Sequence, residues 1–270
     1  MRWWKMPVLA LVVVGACGEK KLPPPKTDFE AFERRYVGEY DALAEGMRKS
    51  GREVEGKDVP KDYRAIYVGA SGVWIDRKNV ATLADIESKK AELVAAIDAN
   101  ATLMPTIGFV GLSVTFDLDA EPAQAAMSVL QLFVGRQAFF NRTVVDADVP
   151  QRASQMLCAK PTLVGTPPVG EETVRLSVLL DKERTWVGLS RVNEFQDIPD
   201  MAGERDYQKI ETTLKEHKAS AFFADRTDIE IAAVDGKARD VIGVFDLACK
   251  VGFFEMALLP RDKISANPSL

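Results

Sequence analysis

The chain has 270 residues, 47% of them apolar and 28% charged, with 40 acidic residues against 35 basic ones. That balance argues against nucleic acid as a partner, because a nucleic-acid surface asks for a basic footprint. The length allows one or two domains, and beyond the first 17 residues no run of 18 apolar residues recurs that would span a bilayer.

The opening stretch, MRWWKMPVLALVVVGACGEKKLPPPKT, places Arg2 and Lys5 ahead of an apolar run from Met6 to Cys17. A spanning helix needs about 20 apolar residues. This run is shorter and holds Pro7 and Gly15, which fits a signal-peptide core. Its end, Val14-Gly15-Ala16-Cys17, resembles the lipobox of bacterial lipoproteins, in which the cysteine thiol takes up an acyl-bearing glycerol before cleavage. The expected organisation is a signal peptide over 1–16, a lipidated Cys17, and a Pro-rich tether through residue 26 that stays extended and solvated. Loss of Arg2 and Lys5 would leave 33 basic residues against 40 acidic ones, about −7. The implied location is the cell envelope, anchored by lipid and facing the periplasm. Gly18 after the cysteine favours the outer membrane over the inner one.

Residues 27–60 read as an amphipathic helix and a loop. Thr27 and Glu30 have capping-box spacing. Phe29, Phe32, Tyr36, Tyr40, Leu43 and Met47 form one apolar stripe, expected to dock on the protein's own domain. From Tyr63 two short strands flank an Ala70-Ser71-Gly72 turn. A helix with Leu83, Ile86, Leu93 and Ile97 follows, then a strand, a helix opened by Pro122, and a closing strand. The pattern over 61–150 is β-β-α-β-α-β.

Residues 151–171 read as an extended linker marked by Pro161, Pro167 and Pro168. From Thr173 the same order returns over 172–262, with the run SAFFADRTDIEIAAV at 220–234 read as a strand, and a tail follows over 263–270. Trp74 matches Trp186, and QAFFNRTVV (137–145) matches VGFFEMALL (251–259). A repeat this long indicates a duplicated domain rather than a solenoid unit. The expected fold class is α+β: two domains, each a small mixed sheet with two helices on one face, preceded by an amphipathic helix.

Residues that could carry chemistry are few. His217 stands alone near a helix end with no ligand spacing around it. Asp117, Asp119 and Glu121 lie close together in DLDAEP, a pattern that suits the polar end of a strand better than a hard-cation site. No GxSxG and no Gly-rich phosphate loop occurs. We therefore expect no catalytic residue, no metal and no cofactor. Cys158 and Cys249 are too far apart for a CxxC motif, and remain either a disulfide pair in an oxidising compartment or two buried thiols.

The second repeat resembles the periplasmic domain of the ExbD/TolR family. The resemblance rests on Ala224-Asp225-Arg226 after an apolar run, then Val241, Val244, Phe245, Asp246 and Ala248, then Gly252-Phe253 and Met256-Ala257-Leu258. It is fainter in the first repeat, where Asp119 and Ala138-Phe139-Phe140 hold the equivalent places. The segment between Asp225 and Val241 is about six residues longer than in that family. The resemblance implies a domain that pairs and engages cell-wall or envelope partners. The family's transmembrane helix is replaced here by the lipobox, with no acidic residue in the apolar run, so proton coupling is not expected of this chain.

The resulting expectation is a non-enzymatic lipoprotein, an accessory or scaffold of an envelope transport, energy-coupling or peptidoglycan-associated complex. Its partners would be the bilayer, through Cys17, and envelope proteins or peptidoglycan. The alternative is a lipoprotein that binds a small solute or glycan between its domains. An envelope hydrolase is a third reading. The two domains would form an internal pseudo-dimer or, failing that, a homodimer of chains. They would meet through helical faces or through the closing strands 142–145 and 256–259. Trp186, Phe245, Phe253 and Leu258 are the expected core of the second domain.

Overall fold

The computed structural model describes residues 23–35, 66–101, 112–145, 152–158, 161–192 and 194–268. The lipobox and the expected Tyr36, Tyr40, Leu43 and Met47 part of the first stripe lie outside them. The described chain is mixed α+β, with two mixed six-stranded sheets and five α-helices.

The first sheet has the order β3-β2-β1-β4-β5-β6, built from β1 (Ile66–Gly69), β2 (Gly72–Ile75), β3 (Lys78–Ala81), β4 (Leu112–Asp117), β5 (Ala138–Val145) and β6 (Arg152–Cys158). The second has the order β10-β9-β8-β11-β12-β7. Its members are β7 (Thr162–Val164), β8 (Leu176–Leu180), β9 (Arg184–Leu189), β10 (Glu194–Pro199), β11 (Asp228–Ala233) and β12 (Glu255–Leu258). In each sheet a three-stranded antiparallel meander continues into parallel strands, β1-β4-β5 in one and β8-β11-β12 in the other. Parallel strands are covered on both faces, so their sequences run apolar rather than alternating. Every residue of β8 (LSVLL) and of β11 (DIEIAA) is buried.

The helices are α1 (residues 28–35), α2 (Lys90–Ala101), α3 (Ala123–Gln131), α4 (Tyr207–Lys218) and α5 (Ala238–Val251). Between the sheets, α3 packs on α5 and also touches β11 and β12, while α5 reaches β6. One apolar core therefore runs through both units, from Ile66, Val114 and Phe140 to Val178, Phe245 and Leu258. From Val241 to Cys249 every residue of α5 is buried, as expected of a helix that is apolar on nearly all sides. A side chain at Gly243 would collide with the Tyr207 ring, so glycine there lets α4 come close. Gly252 ends α5 in the left-handed region, the helix C-terminal turn that its sequence position suggests.

Several expectations need correction. Each unit has a third meander strand, β3 or β10, that the apolar pattern does not reveal. In β3 only Ala81 is buried, and in β10 only Ile198. The segment 151–171 is not a free linker: it supplies β6 to one sheet and β7 to the other. The closing strands 142–145 and 256–259 do not pair with each other. β5 lies between β4 and β6, and β12 between β11 and β7, so the units meet through helices.

The Phe-Phe match also fails. Phe139 and Phe140 lie inside β5, whereas Phe253 and Phe254 precede β12. The start of the 220–234 run, residues 220–225, forms turns, and the strand begins only at Asp228. Phe245, Phe253 and Leu258 are buried, but Trp186 is only partly so.

Trp74 and Trp186 do occupy matching places. Trp74 pairs with Tyr67 across β1–β2, Trp186 with Leu179 across β8–β9, and both face away from the central helices.

Candidate functional site

The units join most closely at the N-termini of α3 and α5. Ala123 N–H donates to the Gly236 carbonyl at 3.0 Å, and Ala238 N–H donates to the Glu121 carbonyl at 2.7 Å. Pro122 and Lys237 thus form an antiparallel bridge, each at the residue before its helix. The exchange is reciprocal, as an isologous contact between twofold-related surfaces would be. Around it, Phe140 meets Phe245 edge-on at 5.4 Å and Arg142 lies 3.8 Å from the buried Asp246 carboxylate. Gly135 N–H, in the turn after α3, donates to Leu163 O of β7 at 3.0 Å.

Beside this bridge, at the carboxyl ends of β8 and β11, lies a charged crevice of about 610 Å³. In open α/β sheets this is the position where ligands bind. Its wall is organised by Arg205, whose side chain is 1% exposed. Arg205 donates to Asp200 at 3.0 Å and to the Asp181 carbonyl, and its Nε lies 3.4 Å from Asp240. Asp240 also accepts from the Tyr207 hydroxyl at 3.1 Å and from Lys237 N–H at 3.1 Å. Burial raises the Asp200 carboxyl above its ordinary range, with Arg205 opposing, and burial beside Asp240 raises the Tyr207 phenol. These carboxylates are engaged in holding loops together. Lys182 and Arg239 line the mouth. The arrangement can receive a polar ligand, but it does not place a nucleophile against a base.

The outer face of each sheet is covered by a segment from beyond its strands, α1 on one and residues 261–268 on the other. On the first sheet, α1 lays Phe29 on Trp74 and Phe32 on Tyr67, with ring centroids 4.5 and 4.7 Å apart. Asp28 accepts from Ser71 N–H at 3.0 Å and from the Ser71 hydroxyl, which also accepts from Trp74 Nε1 at 2.7 Å. The expected cap is present, with Glu30 N–H donating to Thr27 Oγ1 at 3.1 Å. This is the docking on its own domain that the Phe29 and Phe32 spacing implies.

On the second sheet, the C-terminal segment places Ile264 over Leu179 and Ala232. The buried Glu230 there accepts from Ser177 Oγ at 2.7 Å, Ser265 N–H at 2.8 Å, Ser265 Oγ at 2.6 Å and Arg175 at 3.3 Å. Nothing in the sequence marked Arg175, Arg205 or Glu230. A charged residue inside an apolar strand, as Glu230 is in DIEIAA, is the one available signal.

The residues singled out from sequence are scattered. Cys17 lies outside the described residues. Cys249 is buried on α5 and disulfide-bonded, and β6, which carries Cys158, packs on that helix. His217 sits in the last turn of α4, partly buried, and that burial lowers its pKa. Asp117 ends β4 and accepts from the Tyr67 hydroxyl at 2.8 Å, and Pro122 opens α3 as expected. Ala224-Asp225-Arg226 lies in the turn before β11 rather than at a strand end. Among the described residues no group of three or more His, Cys, Asp or Glu side chains is placed to hold a metal ion, and no helix is long and apolar enough to cross a membrane. No family model, curated protein or solved structure matches the chain.

Proposed function

We propose that this chain is a non-enzymatic lipoprotein, anchored through acylated Cys17, whose two ExbD/TolR-like units are held in one chain as an internal pair. It would serve as an accessory or scaffold of an envelope complex or of the cell wall. The observation that carries the reading is the reciprocal Pro122–Lys237 bridge, with α3 packed on α5 beside it. A covalent pair of this kind stands where two separate protomers would otherwise associate. The first five strands of the two sheets share one order, which supports a duplicated origin, while the sixth differs, β6 pairing antiparallel and β7 parallel. Cys158 is assigned as the partner of Cys249: Cys17 is reserved for lipid, and β6 lies on α5. Such a bond suits an oxidising envelope compartment.

Two experiments test the proposal. The intact protein should partition with membranes, and Cys17→Ser should leave it uncleaved or soluble. The lipidated protein should also cosediment with purified peptidoglycan sacculi or crosslink to envelope proteins in cells. A processed Cys17→Ser species that still partitions with membranes refutes the anchor, and failure of both binding assays refutes the scaffold role. The second reading, a small-solute binder, is favoured by the 610 Å³ crevice beside the bridge. A ligand-dependent rise in melting temperature that Lys182→Ala removes would select it.

A further inference from the structure

We infer that the second unit carries a phosphoryl-binding pocket under its C-terminal segment, independent of the scaffold reading. The pocket, about 320 Å³, is lined by Glu171, Arg175, Ser190, Arg191, Lys263 and Ser265. Three cations and one acid converge there from three separate parts of the chain: the start of β8, the turn after β9, and the tail.

The geometry has three features of a built anion site. First, Arg175 forms the floor. Its side chain is 12% exposed, and its NH1 and NH2 are fixed by Ser265 Oγ at 2.9 Å, Glu230 at 3.3 Å and the Val169 carbonyl at 2.7 Å. Its Nε is buried with no hydrogen-bond partner. An unmet buried donor is costly, so the floor of the pocket holds a guanidinium with hydrogen-bonding capacity to spare.

Second, Arg191 is held in the left-handed region, at φ 69°, where a non-glycine residue is strained. Its NH1 donates to the Glu171 carbonyl at 3.1 Å, which fixes the guanidinium beside the pocket.

Third, the Lys263 ammonium makes no hydrogen bond or ion pair among the described residues, yet it lines the same space. Glu230 lies beneath Arg175 and takes up part of its charge. The net attraction therefore rests on Arg191 and Lys263, set against Glu171. Planar guanidinium forks and a point-charge lysine are the usual partners of phosphate oxygens. Because Lys263 and Ser265 belong to the tail, an occupied pocket would also hold the tail down on the sheet.

The probe is inorganic phosphate, titrated calorimetrically into the mature full-length chain at low ionic strength. Glycerol 3-phosphate is a second soluble probe, and phosphatidylglycerol vesicles are compared with phosphatidylcholine vesicles. The expected result is saturable one-site binding of a phosphoryl group that weakens about tenfold in Lys263→Ala and in Arg191→Gly. The glycine variant should keep or raise the melting temperature, because it removes a strained side chain. Lys215→Ala, on the exposed face of α4, should leave the affinity unchanged. Binding of both soluble phosphates assigns a free phosphorylated solute, whereas binding confined to phosphatidylglycerol vesicles assigns a lipid headgroup. Absence of saturable binding to every probe, or affinity indifferent to both variants, would overturn the inference.

Discussion

On the outer face of the first sheet, Phe29 stacks on Trp74 and Phe32 on Tyr67, and one carboxylate, Asp28, fastens the helix to the Ser71 turn. On the corresponding face of the second sheet the cover is a short tail. Ile264 meets Leu179 and Ala232, and Glu230 gathers Ser177, Ser265 and Arg175 into a buried polar knot. Both segments answer the same requirement, since parallel strands need cover on both faces. A helix offers enough aromatic surface to do so by stacking. A tail with only one short 3-10 turn, Arg261–Lys263, has few apolar atoms to bury and relies on hydrogen bonds that must all be satisfied. The first cover should therefore lose little when a polar contact is removed, and the second a great deal.

The largest expected effect lies where the two units cannot differ. Phe245 is 1% exposed and meets Phe140 of the first unit. Phe245→Ala should cost about 3–5 kcal/mol from lost transfer energy and the cavity left behind. Denaturant unfolding should keep one transition, because both units share the core. A loss below about 1 kcal/mol, or a split into two transitions, would mean the units are energetically separate.

Next comes the comparison itself. Glu230→Ala should cost about 3 kcal/mol, because it strands Arg175 in a buried site. Amide exchange in residues 261–268 should rise with it. Asp28→Ala removes hydrogen bonds at a partly exposed site and should cost only about 1–2 kcal/mol. Its exchange should rise around Ser71 while the Phe29–Trp74 stack persists. Equal losses from the two variants would erase the distinction drawn between the covers.

The smallest effect is on pH. Burial holds the His217 imidazole below its ordinary value of 6.5. The native state then binds fewer protons than the unfolded chain just below that value. The contribution of His217 is fully present above pH 6.5 and is lost as pH falls through the depressed value. His217→Gln should flatten the decline in melting temperature as pH falls below 6.5, and an unchanged profile would exclude His217 as its source.

Much of the fold was legible where burial is one-sided or complete. The runs IYVG, LSVLL and the Val241–Cys249 stretch read directly as core, and the two tryptophans marked matching outer positions. The third meander strands were not legible, because an edge strand with one buried residue carries no usable alternation. β6 and β7 were hidden by the prolines between and after them, which disguised two edge strands as a tether. Phe222 and Phe223 suggested a strand by apolarity alone, yet they form a turn in which Phe223 is buried and Phe222 is 55% exposed. The two pockets were invisible for a simpler reason. Arg175, Arg191 and Lys263 lie apart in sequence, as does Asp240 from the Asp200–Arg205 loop, and only the fold brings each set together.

The central claim is that the two units pair within one chain through the bridge at Pro122 and Lys237. These residues form the non-hydrogen-bonded pair of an antiparallel bridge, with their neighbours exchanging the bonds, and such pairs hold their Cα atoms about 4.5 Å apart, within disulfide reach. The mature chain carrying Pro122→Cys and Lys237→Cys should, on mild oxidation at low and high protein concentration, give one intrachain crosslink. Peptide mapping should assign it to positions 122 and 237, and the species should stay monomeric. A crosslink that forms only between chains and grows with concentration, or none at all while the variant remains folded, would contradict the account.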